Sequence, residues 1–273
     1  MSDHRRVFIS GGTRGLGRCL ALELSKAGAR VFITGRALEA ARAAAIEISA
    51  LSGSSVFAGG GDSGVWEDVA RLSGEAVAAM GGIDIWIANA GVNQAPGLVW
   101  ELEGGDMEGV LRTDLLGPML AAKAAFAAMG AAGGWLWFVE GHGSDGRVRP
   151  GLSVYGTAKR GIAYLWRALA IEARGSGSML KVGAISPGIM ITDFVMQSLA
   201  AQDVERRAKT VAVFNILGDR PETVAAWLAP RLLAARRSGV RLAWLTGAKI
   251  MGRFMFAGMM RRRVVEEQGP LSS

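Results

Sequence analysis

The sequence predicts an α/β fold: an open, doubly wound sheet of about seven parallel strands with helices on both faces. Three observations predict it. Short apolar runs alternate with segments of helical periodicity along most of the 273 residues. The first apolar run stops at a glycine-rich turn that opens directly into a helical segment. Half of the residues are hydrophobic, which supplies a core large enough to be covered on both faces.

Val7-Phe8-Ile9-Ser10 reads as the first strand, and 15–28 as a helix with Leu16, Leu20, Leu24 and Ala27 on one face. Val31-Phe32-Ile33-Thr34 is the second strand. An alanine-rich helix over 37–51 closes at Gly53. Ser55-Val56-Phe57-Ala58 is a weaker third strand, ending at Gly59-Gly60-Gly61-Asp62. A helix over 65–80 precedes a fourth strand, Ile83 to Ala88. The second half repeats the pattern: a long helix over 106–129, a strand from Trp135 to Val139, a long helix over 153–174 and a strand from Leu180 to Ile185. A helix near 221–237 leads to a last strand, Val240 to Leu245. No linker or break in composition appears before residue 247. The expected organisation is one domain over 1–246, with a Met- and Arg-rich extension over 247–273.

The net charge is +7 and the isoelectric point about 10.2. The excess is uneven: residues 230–263 carry Arg231, Arg236, Arg237, Arg241, Lys249, Arg253, Arg261, Arg262 and Arg263 and no acid. Such a run suits nucleic acid, an anionic membrane surface or an acidic ligand, but a solvated face is the commoner outcome. No nucleic-acid partner is expected. Cys19 is the sole cysteine, so no intrachain disulfide forms, which fits a reducing compartment. The polar Met1–Arg6 segment lacks a signal-peptide pattern, and no apolar run approaches the roughly 20 residues of a membrane span. The expected location is cytoplasmic. No His/Cys/Asp cluster has metal-ligand spacing, so no metal is expected.

The first turn reads Ile9-Ser10-Gly11-Gly12-Thr13-Arg14-Gly15-Leu16-Gly17. Strand, glycine turn and helix in that order form a Rossmann-type site for a dinucleotide pyrophosphate. Gly11 permits the tight turn, Gly15 lets the backbone approach phosphate, and Gly17 lets helix pack on strand. Thr13, Arg14 and Leu16 fall inside the same loop. No Gly-Lys-Ser/Thr follows, so this is not a P-loop. The second strand ends Thr34-Gly35-Arg36, where an acid would bind the ribose hydroxyls of NAD. Arg36 and Arg14 offer forked donors to a 2′-phosphate instead, so NADP(H) is the expected cofactor. Asp62 is placed to accept from an adenine amine, and Asn89-Ala90-Gly91 ends the fourth strand with small residues beside the cofactor.

Tyr155 and Lys159 lie four residues apart on a predicted helix, hence on one face. A phenol titrates near 10, too high for efficient proton exchange at neutrality. A neighbouring ammonium favours the phenolate, so Lys159 is expected to lower that value.

Gly11-x3-Gly15-x-Gly17, Asn89-Ala90-Gly91, Tyr155-x3-Lys159 and Pro187-Gly188 occur in this order at strand ends, and together they resemble the short-chain dehydrogenase/reductase family over nearly the whole chain. The resemblance implies Tyr155 as catalytic acid/base and Lys159 as a further ligand of the nicotinamide ribose. It also places Ile189 and Thr192 near the nicotinamide carboxamide. A homodimer or homotetramer through the two long helices is implied as well.

Two positions depart from the family pattern. Where the family has a Ser after the fifth strand, this chain reads Glu140-Gly141-His142-Gly143-Ser144-Asp145-Gly146. Ser144 and His142 are the candidates to hold the substrate oxygen. Asp114 stands where the family has an Asn in the long helix. The segment Phe138 to Arg147, with Pro150 and Tyr155-Gly156-Thr157-Ala158-Lys159-Arg160, resembles the chlorophyll b reductase subgroup, as does Leu242 to Lys249. That similarity implies NADPH-dependent reduction of the 7-formyl group of a chlorophyll-type ring. A generic alcohol dehydrogenase or ketoreductase for another lipid-like substrate is the second enzymatic reading. A non-catalytic NADP-binding sensor or scaffold is the third.

In the extension, Ile250, Met251, Phe254, Met255, Phe256, Met259 and Met260 interleave with arginines. Flexible thioethers suit an irregular apolar ligand surface. The segment is read as part of a lid over a large apolar substrate or a peripheral membrane contact, with a helix capping the sheet as the plain alternative.

Overall fold

The computed structural model describes residues 5–92, 94, 96–192, 199, 204–257 and 262–265. Met259, Met260 and Arg261 lie outside the described residues.

Seven strands form one parallel sheet: β1 (Arg6–Ile9), β2 (Arg30–Gly35), β3 (Val56–Gly60), β4 (Ile85–Ala88), β5 (Gly134–Val139), β6 (Leu180–Ser186) and β7 (Val240–Ala243), in the order β3-β2-β1-β4-β5-β6-β7. Helices α1 (Gly15–Lys26), α2 (Leu38–Ser52), α3 (Trp66–Met80), α4 (Gly104–Leu111), α5 (Gly117–Met129), α6 (Ser153–Gly175), α7 (Val204–Leu217), α8 (Pro221–Ala234) and α9 (Gly247–Met255) complete the described residues.

The strands read as continuous apolar runs because both faces are covered. Side chains alternate across each strand. Val7 and Ile9 join Leu20 and Leu24 of α1, Ile48 of α2 and Leu228 of α8 on one face. Phe8, Phe32, Trp86 and Phe138 join Leu72 of α3, Ala125 of α5 and Trp166 of α6 on the other. The register sets Phe8 opposite Phe32 and Trp86. β1 is followed outward by β2 and β3 on one side and by β4 on the other. The direction in which successive strands are added to the sheet therefore reverses between β1 and β4, which opens a crevice at their carboxyl ends.

Three expectations are corrected. Ala27 caps α1 and is exposed rather than sharing its buried face. The long helix over 106–129 is two helices joined by a π turn, Arg112–Leu116. Pro118, in the first turn of α5, has no N–H to give, and one extra residue in the preceding turn accommodates it. Thirdly, α7 has no counterpart among the predicted elements; within the extension, Gly247–Met255 form the short helix α9.

Candidate active site

The crevice is lined by the glycine turn. Gly11 and Gly15 have φ of +69° and +56°, values that side chains on L-residues rarely adopt. A Cβ on Gly11 would lie 2.8 Å from the α-carbon of Ala90, and one on Gly17 would collide with the carbonyl of Gly11. Asn89 ties the ends of β1 and β4 together: its Nδ2 donates to the carbonyls of Ser10 (3.0 Å) and Gly11 (2.9 Å). The Ser10 hydroxyl accepts the N–H groups of Asn89 and Ala90, both at 3.1 Å.

At the start of α1 no side chain caps the helix and its first turn holds no acid. Its leading N–H groups are left for an external anion. Arg14 and Arg36 are both exposed, and neither makes an ion pair among the described residues. A dinucleotide phosphate fits this donor set. Asp62 follows β3 at the same end. Its Oδ1 accepts the Gly64 N–H at 2.8 Å, which fixes the carboxylate at the rim.

Pro187, Gly188, Ile189 and Thr192 follow β6 in a loop that crosses toward the glycine turn. The Thr192 methyl lies 4.0 Å from where a Cβ on Gly15 would stand. Gly188 takes a φ of +77°, with Leu245 packed against its open side.

Tyr155 and Lys159 do share a face of α6, and the ammonium sits 5.5 Å from the phenol ring centre. The π turn brings Asp114 to the same place. Its Oδ2 is 3.4 Å from Lys159 Nζ, and its Oδ1 accepts the Val92 N–H at 2.6 Å. Asp114 is wholly buried and Lys159 nearly so. Gly91 closes the contact: a Cβ there would lie 3.2 Å from Asp114 Oδ1 and 3.6 Å from Lys159 Nζ. The strand end beside the crevice thus abuts the Tyr–Lys–Asp cluster.

The electrostatics set the expected pull of Lys159 against burial. Burial pushes the Tyr155 phenol up. Lys159 pulls it down, Asp114 pushes it up again, and the net shift is upward. Burial disfavours the Lys159 ammonium, but Tyr155 and Asp114 more than restore it, so Lys159 sits above its ordinary range. Burial also raises Asp114, against the pull of Lys159 and the Val92 N–H. The phenol is therefore a proton donor at neutrality, not a phenolate.

The loop after β5 resolves the missing serine. Ser144 is buried; its hydroxyl donates to the Lys159 carbonyl at 3.1 Å and accepts the Gly141 N–H at 3.1 Å. Its proton is directed at the backbone, so Ser144 ties the loop after β5 to α6. Gly141 sits nearest the phenol: a Cβ there would collide with the Tyr155 hydroxyl oxygen and lie 3.1 Å from Cγ and Cε of Lys159. His142 is exposed beside this point. Partial burial, followed by the nearby Arg149, lowers its pKa, so it stands as a neutral imidazole.

Sequence reasoning missed two supports. Gln94 is buried; its Oε1 accepts the Tyr155 N–H at 2.9 Å and its Nε2 donates to the Gly151 carbonyl at 3.1 Å, so it caps α6. Glu140 is buried between Trp166 Nε1 (3.1 Å) and Arg241 Nε (2.7 Å), while Arg241 also donates to Ser186 Oγ at 2.8 Å. No local signal announces either residue, since their partners are remote in sequence.

The basic run over 230–263 is also less free than its composition suggests. Arg241 is taken by Glu140, and Arg253 and Arg262 by Asp219. Arg231 stacks 4.1 Å from the Trp227 ring centre and Lys249 2.9 Å from that of Trp244. Among the described residues, no group of three or more His, Cys, Asp or Glu is placed to hold a metal, and no helix is long and apolar enough to cross a membrane.

A parallel sheet reversing at a glycine-lined crevice, with a Tyr–Lys pair at its mouth, is the architecture of nicotinamide-dinucleotide oxidoreductases. Residues 5–203 match the family model for short chain dehydrogenase, and the chain belongs to that family. It is 30% identical to the probable chlorophyll(ide) b reductase NYC1 of Arabidopsis thaliana, over 98% of this chain and 57% of that protein. It is 31% identical to the chlorophyll(ide) b reductase NOL of the same plant, over 98% of this chain and 78% of that one. The chain thus spans little more than half the length of NYC1. The crystal structure of levodione reductase superposes with a TM-score of 0.80 over 90% of this chain and 97% of that one, at 23% identity, which shows the shared fold.

Proposed function

We propose that this chain is an NADPH-dependent reductase that delivers hydride to a carbonyl of a large apolar substrate, the 7-formyl group of a chlorophyll b-type ring being the leading candidate. The observation that carries the chemistry is the buried cluster of Tyr155, Lys159 and Asp114 against Gly91. Bound in the crevice, the cofactor would supply a hydride to the carbonyl carbon. Tyr155 gives its hydroxyl proton to the carbonyl oxygen as the carbon is reduced, so an alcohol leaves and a phenolate remains until solvent reprotonates it. Lys159 holds positive charge beside that phenolate and stabilises it. Asp114 holds the ammonium charged and in place. His142 is the remaining side chain of the β5 loop to steady the carbonyl oxygen.

Arg14 and Arg36 support NADPH over NADH, because no acid follows β2 at Gly35. The formyl-chlorin assignment rests on the two plant relatives and on the Gly141–Ser144 segment that replaces the family serine. The exposed face of α9, with Met251, Phe254 and Met255, supports an apolar substrate or a peripheral membrane contact. Exposed Met119, Tyr164 and Ile171 on α5 and α6 support a homo-oligomer through those helices.

Tyr155→Phe tests the reading. NADPH oxidation with a formyl-chlorin should fall by about a hundredfold or more while NADPH still binds. Equal turnover in the two proteins would remove the enzymatic assignment in favour of a binding protein.

A further inference from the structure

Asp219 is almost fully buried, and three separate segments converge on its carboxylate. Oδ2 accepts Trp244 Nε1 at 2.6 Å and lies 2.7 Å from Arg253 Nη1 in an ion pair. Oδ1 accepts Arg253 Nη2 at 3.0 Å and Arg262 Nη2 at 2.6 Å. The same two arginines also cap the end of α7: Arg253 donates to the Leu217 carbonyl (2.9 Å), and Arg262 to those of Ile216 (2.7 Å) and Gly218 (3.0 Å). Cations at a helix carboxyl end are favoured by its dipole. Burial alone would raise the Asp219 pKa, but the bonds from Arg253 and Trp244 outweigh it and hold the group ionised.

The backbone of Asp219 does something different. Its N–H donates to the Ile189 carbonyl at 3.0 Å, and its carbonyl accepts the Ile191 N–H at 3.0 Å. Met190 and Asp219 form a parallel bridge outside the main sheet. One residue therefore grips the C-terminal extension with its side chain and the loop after β6 with its main chain. That loop is the one whose Thr192 reaches the glycine turn.

We propose that Asp219 is a positioning residue that fastens the extension to the loop after β6, so that the arginines of residues 253 and 262 hold residues 189–192 against the cofactor crevice. The proposal rests on the cofactor site proposed above, but its mechanical half does not. An ordered loop is ready for ligand, whereas a loosened one must be ordered at a cost to affinity.

The test uses the full chain with Asp219→Asn, which keeps shape and removes charge, and Arg262→Gln, which removes one clamp and leaves Asp219 itself in place. Amide hydrogen exchange is measured over 187–192, and NADPH affinity by nicotinamide fluorescence. Both variants should exchange faster over 187–192 and bind NADPH several- to about tenfold more weakly. The double variant should be no worse than Asp219→Asn alone. Asp219→Glu should recover part of the loss. Should Asp219→Asn not fold, Arg262→Gln decides by itself. Loosening of 247–257 with unchanged exchange over 187–192 and unchanged affinity would overturn the proposal. If the wild-type chain bound no nicotinamide dinucleotide, the functional reading would fall, while the exchange measurement would still decide the coupling.

Discussion

The Tyr155 hydroxyl occupies the space that a side chain on Gly141 would fill. The bare α-carbon at Gly141 thus leaves room for the phenol, and the hydroxyl of the same loop, Ser144, is bonded to the backbone of α6.

Gly141→Ala should thus be disabling. The added methyl meets the phenol oxygen and the Lys159 methylenes, and one of them must move. A misplacement of about 1 Å costs on the order of a hundredfold in turnover. We expect kcat to fall by about that factor, with a smaller loss of NADPH affinity through any movement of Lys159. Gly141→Ser should do no better, and a fully active serine variant would show that the pocket tolerates the family residue.

Asp114→Asn restores the family residue and should shift the pH profile. In the wild type, carbonyl reduction needs Tyr155 protonated and Lys159 charged. Both groups sit above their ordinary values, so activity should persist through neutrality and fall only in strongly alkaline solution. Removing the carboxylate charge takes away an influence that raises Tyr155 and one that raises Lys159. Each loss brings deprotonation to lower pH, so the alkaline limb should move down. A limb that stays put or moves up, read from kcat against pH, would contradict the electrostatic assignment.

Arg14→Ala and Arg36→Ala should separate the two nicotinamide cofactors. A charged hydrogen bond contributes roughly 1.5–3 kcal/mol, so NADPH affinity should drop about 10- to 100-fold per arginine. NADH affinity should hardly change. Because both side chains are exposed, NADPH binding to the wild type should also weaken with salt. Titration of the two cofactors by fluorescence checks both statements.

The exposed face of α9 offers a test of substrate size. Met251, Phe254 and Met255 are 67, 51 and 69% exposed, an arrangement that wastes apolar surface unless something covers it. Changing any one of them to Ser should raise KM for a bulky carbonyl substrate about tenfold, given roughly 1.5 kcal/mol for an apolar side chain fully buried. A small water-soluble carbonyl compound should be turned over as before. Parallel loss on both substrates would assign the face to structure.

The strands and most helices were legible in the sequence because they rest on local periodicity. Phe8 alternating with Val7 and Ile9 already specifies two packed faces, and the glycine turn marks its own crevice. Tyr155 and Lys159 were legible for the same reason, being four residues apart on one helix. What escaped was set by contacts remote along the chain. Pro118 gave a local hint of an interrupted helix, but the aim of Asp114 depends on Lys159 and Val92. Gln94, Glu140 and Asp219 look like ordinary polar residues until their partners are folded beside them. Ser144 shows the converse: a correct residue type near the correct position, already claimed by a backbone carbonyl. The arginines of the extension misled by composition, since their acids lie earlier in the chain.

The π turn at Arg112–Leu116 carries a consequence for how this chain tolerates change in length. An α-helix rotates by about 100° for each residue. Deleting a single residue between Asp114 and Pro118 would swing α4 and the Asp114 carboxylate around the axis relative to α5. Leu72, Trp166 and the sheet would hold their places, yet the amine of Lys159 would lose its carboxylate partner. A shortening that leaves the hydrophobic layers intact would silence the chemistry, so the exact count of residues here is itself a functional parameter.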